Sequence, residues 1–115
     1  MGSSASKEMC GAEDELLESL RKKYVARRKA ETWKLKADRL RCTFLRAQQD
    51  AVDARRRWSE QPENPATRAS LKKKLRKEEV ARRNALVCKL EAERLANTAR
   101  KAERKVVATQ QKLRN

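Results

Sequence analysis

Three kinds of residue in this chain could do chemistry: a glycine behind Met1, three cysteines, and clustered arginine and lysine. The N-terminus reads Met1-Gly2-Ser3-Ser4-Ala5-Ser6-Lys7, which matches the N-myristoylation pattern with Ser6 at the favoured position. The transferase needs an unhindered glycine on an extended run of small residues, and this segment supplies both. One myristoyl chain binds membrane only marginally, so a second acyl chain or a basic patch is required. Cys10 could carry that second chain. Gly2 and Cys10 are therefore the lipidation candidates.

The candidate polyanion-binding residues are Arg55, Arg56, Arg57, Lys72, Lys73, Lys74, Arg76, Lys77, Arg82 and Arg83. Further basic runs lie at 21–23, 27–29 and 100–105. The whole chain carries 31 Lys and Arg against 16 Asp and Glu, a formal +15. Such an excess repels itself and favours polyanions. The same cations suit an anionic leaflet, nucleic-acid phosphates or an acidic protein surface. Aromatic stacking platforms are poorly represented. Trp33, Phe44 and Trp58 fall on an apolar seam described below, and only Tyr24 lies off it. Nucleic-acid binding would therefore grip phosphates without reading bases.

Catalysis finds no apparatus. There is no histidine and no glycine-rich phosphate loop, and the carboxylates are scattered among bases as helix-face partners. The reading is a non-enzyme with no cofactor and no metal. Cys10, Cys42 and Cys88 are odd in number and widely spaced, which suits a reducing compartment. Cys42 and Cys88 are expected to be small, mostly buried fillers. No apolar run approaches the roughly 18 residues of a membrane span, and no signal peptide is apparent. The expected location is cytoplasmic, on a cytosolic membrane face.

Positioning these residues requires helices. Charged residues make up 41% and aromatics 3%, too little bulky apolar material for a compact globule. Ala, Leu, Lys, Arg and Glu dominate, and the two prolines stand together at 62 and 65. The pattern predicts a flexible segment over 1–11, a helix over 12–60, a turn at 61–64 and a helix over 65–113. Pro62 disfavours helix before it, while Asn64 followed by Pro65 makes a cap and first helical position. Acids at Glu13, Asp14, Glu15 and Glu18 suit the first helix's N-terminus.

Small and apolar residues recur at alternating steps of four and three in both helices. The first seam includes Ala26, Ala30, Trp33, Ala37, Leu40, Phe44, Ala47, Ala51, Ala54 and Trp58. The second includes Ala81, Ala85, Cys88, Ala92, Leu95, Ala99, Ala102, Val106, Thr109 and Leu113. These are heptad seams. Facing residues of an antiparallel hairpin have numbers of constant sum. Phe44 with Ala81, Leu40 with Ala85, Ala37 with Cys88 and Trp33 with Ala92 all give 125, which centres the fold inside the Pro62–Pro65 turn. Large faces small in several layers, as dense packing requires. Lys23, Lys74 and Glu78 fall in seam register and weaken it. Leu35, Leu45, Val52, Leu86 and Leu90 flank the seam, either to widen it or to face a partner.

The expected fold is all-α: two long helices in an antiparallel coiled-coil hairpin with a short flexible N-terminus. The same heptads would also support a homodimer. The function this implies is a basic helical-hairpin adaptor, N-myristoylated and peripheral to a membrane. Two alternatives share the sequence features. One is a ribosome-bound or viral accessory factor gripping phosphates. The other is a structural coiled coil lying along a cytoskeletal polymer.

Overall fold

The computed structural model describes the backbone from Gly2 to Asn115 and the side chains from Gly11 onward. The lipidation candidates Gly2 and Cys10 lie outside the residues whose side chains are described. Two helices, α1 over Gly2–Glu60 and α2 over Pro65–Arg114, form an all-α antiparallel hairpin. No strand occurs among the described residues.

The turn follows from a few side chains. Gln61 N–H donates to Arg57 O at 3.0 Å and closes the last turn of α1. Asn64 Oδ1 accepts from Ala66 N–H at 3.0 Å, a side-chain cap on a backbone donor that helix geometry leaves unpaired. Pro65 follows as the first residue of α2, where its missing N–H costs nothing. The Thr67 hydroxyl lies within bonding distance of both Gln61 O, 2.9 Å, and Asn64 O, 2.8 Å, and ties the start of α2 to the turn.

α1 starts at Gly2, ahead of the Ala12 boundary that periodicity marks. No proline interrupts 2–11, and Gly11 costs a helix interior only about 1 kcal/mol. Consequently Glu13, Asp14, Glu15 and Glu18 do not occupy the first turn of α1, which holds no acid. Their placement as dipole partners of that terminus is corrected, because the effect fades within one turn.

The hairpin divides into two compact units, Met1–Thr32 with Ala92–Asn115 and Trp33–Glu91. In the Trp33–Glu91 unit the seam is built on alanine. Ala51 and Ala54 are only 2% and 4% exposed, and Cys88 is buried with them. Trp33, Ala37, Leu40, Phe44, Ala47, Ala81 and Ala85 are half-buried. In the other unit Leu95, Ala99 and Val106 are buried, with Ala26, Ala30 and Ala92 half-buried along the same repeat. Buried Thr109 satisfies its own hydroxyl by donating to Lys105 O at 2.8 Å. Among the described residues no large side chain is fully buried, so each layer contributes little area.

Several expectations about the seam change. Trp58 is 41% exposed. It sits in the last turn of α1, and the register of the seams sets it opposite Thr67, at the start of α2, where little of the other arm is available to cover it. Cys42 is exposed rather than a buried filler, since it lies between seam positions Leu40 and Phe44 and points the other way round the helix. Leu113, near the end of α2, is 37% exposed. Of the two roles expected for Leu35, Leu45, Val52, Leu86 and Leu90, their exposure rules out widening the seam.

Candidate polyanion-binding surface

All ten predicted polyanion-binding residues fall in the Trp33–Glu91 unit. α1 delivers Arg55, Arg56 and Arg57 near its C-terminus, where the helix dipole favours cations. α2 delivers the other seven from its second to its fifth turn. The turn at 61–64 brings the two runs to the same end of the unit. From Arg55 to Lys77 the chain holds nine Lys and Arg and two Asp and Glu, so a net +7 out of +15 is concentrated in this stretch.

Intramolecular pairing neutralises only some of these cations. Arg56 Nη2 meets Asp53 Oδ1 at 2.7 Å. Lys74 Nζ reaches Asp50 Oδ2 across the hairpin at 3.9 Å. Arg82 and Arg83 both approach Glu79 Oε1, at 3.3 and 3.2 Å. Among the described residues, Arg55, Arg57, Lys72, Lys73, Arg76 and Lys77 carry no ion pair. Four of the ten predicted residues are thus held by acids, and six have no acid partner among the described residues.

Sequence reasoning named Leu90 as a residue that could face a partner but missed Val80 and Val87 beside these cations. Lys73, Arg76, Val80, Arg83, Val87 and Leu90 follow steps of three and four along α2, so they share one face. All six are exposed, and Val87 is 64% exposed. The stripe is cationic toward the turn and apolar beyond it. Its signal is present in the sequence as a second three–four repeat, but the stronger alanine seam obscures it. On α1, exposed Leu45 and Val52 stand seven residues apart outside the seam.

Among the described residues, no cluster of three Cys, Asp or Glu is placed to hold a metal ion, and no helix is long and apolar enough to cross a membrane. Trp33 is half-buried, with Lys36 Nζ 4.5 Å from its ring centroid, so it does not present a free stacking face. Tyr24 is exposed but lies in the other unit, with the Arg28 guanidinium 5.7 Å from its ring centroid. No family model, curated protein or solved structure matches this chain.

Proposed function

We propose that this chain is a non-enzymatic basic hairpin adaptor attached peripherally to an anionic membrane face. The observation that carries this reading is the exposed α2 stripe, in which Lys73, Arg76 and Arg83 alternate or adjoin with Val80, Val87 and Leu90. A helix face of this kind suits the boundary between headgroups and acyl chains. Its two cations without an ion pair among the described residues, Lys73 and Arg76, would attract anionic lipid at about 1 kcal/mol each near the surface. Its valines and leucine gain by entering the apolar boundary. A nucleic acid would reward the cations and leave the apolar residues in water, which is why the lipid reading is preferred. A lipidated Gly2, with or without Cys10, would add the second signal that stable attachment needs.

Vesicle co-sedimentation of the full chain tests the reading. Binding should rise steeply with the phosphatidylserine fraction and fall with salt. Changing Val80, Val87 and Leu90 to Ser should weaken it at fixed charge. The same three changes should leave retention on single-stranded RNA untouched. If the triple variant binds vesicles as tightly as wild type while nuclease releases the protein from cell membranes, the membrane reading fails and phosphate binding replaces it. Fractionation of Gly2→Ala separately tests the lipid anchor.

A further inference from the structure

The Met1–Thr32 with Ala92–Asn115 unit has a groove of its own, of about 790 Å³. Ala26, Leu95 and Ala102 make its floor, and half-exposed Val25 stands at its lip. Lys22 and Lys29 of α1 line one rim, and Lys101 and Lys105 of α2 line the other. Among the described residues these four lysines have no ion pair. The one acid lining the groove, Glu18, is already held by Arg21 at 3.4 Å.

We propose that this groove receives an acidic amphipathic helix of a partner protein. Lys22 and Lys29 are seven residues apart on the α1 rim, ~10.5 Å at ~1.5 Å per residue, and Lys101 and Lys105 are four apart on the facing rim, ~6 Å. Both are intervals at which one face of a helix presents successive charges. Glutamates at those positions of an incoming helix would meet both rims while its apolar stripe covers the floor. Alanine at two floor positions permits the close axial approach, ~8–10 Å, that helix packing requires. A single phosphate or lipid headgroup is recognised by cations converging on a point, whereas these are spread along two rims. A nucleic acid has no use for the apolar floor. The inference goes beyond the membrane reading, which uses residues of the other unit.

The test uses a labelled synthetic peptide of three heptads, with Leu and Ala at the core positions and Glu at the flanking ones. It is titrated into the full chain at physiological salt. Saturable binding is expected, and a scrambled peptide of equal composition should bind about tenfold more weakly. Lys22→Glu with Lys101→Glu should weaken the ordered peptide about tenfold, and a peptide carrying Lys for Glu should then prefer the variant. Lys29→Glu with Lys105→Glu is the second variant, and circular dichroism confirms that both remain helical. Equal binding of the scrambled peptide overturns the proposal, because net charge alone then suffices. So does a pair of reversals that leaves peptide binding unchanged. Loss of vesicle binding, RNA binding or self-association in these variants, with peptide binding intact, assigns the groove to another occupant and also overturns it.

Discussion

Asp50 on α1 and Lys74 on α2 meet across the hairpin at 3.9 Å. Their numbers sum to 124, one short of the value that the two alanine seams give for facing residues. The ion pair therefore marks nearly the same register through charge instead of through apolar packing. Its side chains are 58% and 34% exposed, so solvent screens it and its contribution is at most about 1 kcal/mol. Asp50→Ala should lower the melting temperature by only a few degrees. The charge-reversed double variant, Asp50→Lys with Lys74→Asp, should recover most of the loss. A double variant less stable than both single reversals would mean that the pair does not form in solution.

Spin labels at Leu40 and Ala85 test the fold directly. Both sites lie in the Trp33–Glu91 unit and on facing seam positions. With the native cysteines replaced, the dipolar distance should reflect two helices ~8–10 Å apart, plus the reach of the labels. Dilution with unlabelled protein should leave the distance unchanged. A signal that disappears on dilution would show that the heptads close between two chains instead of within one.

Asn64 caps α2 through Oδ1 and also donates from Nδ2 to Gln61 Oε1 at 3.1 Å. Asn64→Ala should cost about 0.5–2 kcal/mol by thermal unfolding. Asn64→Asp or Asn64→Ser should cost less, since each keeps a capping oxygen. If the Ala variant is as stable as wild type, the cap contributes nothing and Pro65 alone sets the start of α2.

The cysteines offer a test of the seam. Cys88 is buried and Cys42 is exposed. In native protein, a thiol reagent should modify Cys42 rapidly and Cys88 only on a timescale set by opening of the helices. A denaturant should equalise the two, and peptide mapping by mass spectrometry reads each site. Comparable rates in native buffer would contradict the burial of Cys88 in the seam.

The seam was legible because alanine spacing and turn chemistry point to the same register. Asn64 with Pro65 fixes where α2 begins, and the two repeats then agree without further information. Trp58 was misplaced because periodicity names a face of a helix but not how much of the opposite arm remains to cover it. Cys42 was misread for a related reason: a small residue type suggests burial, while its position between Leu40 and Phe44 dictates otherwise. Periodicity also could not find the start of α1, since residues 2–11 lack the apolar repeat and still contain no proline. The exposed stripe from Lys73 to Leu90 was hidden by composition, because its apolar residues were overshadowed by the seam and its flanks. Which cations remain available is a matter of side-chain geometry: Glu79 holds Arg82 and Arg83, while Arg76 and Lys77 have no ion pair among the described residues.

The capped bend at Asn64 also determines where the chain can begin to fold. Ala54 and Ser70 are separated by only a short stretch, so the first inter-arm layer closes a small loop and forfeits little chain entropy. Later layers in the Trp33–Glu91 unit add one after another, as teeth do in a fastener. Assembly should therefore be fast and start at the bend, and thermal breathing should be least there and grow with distance from it.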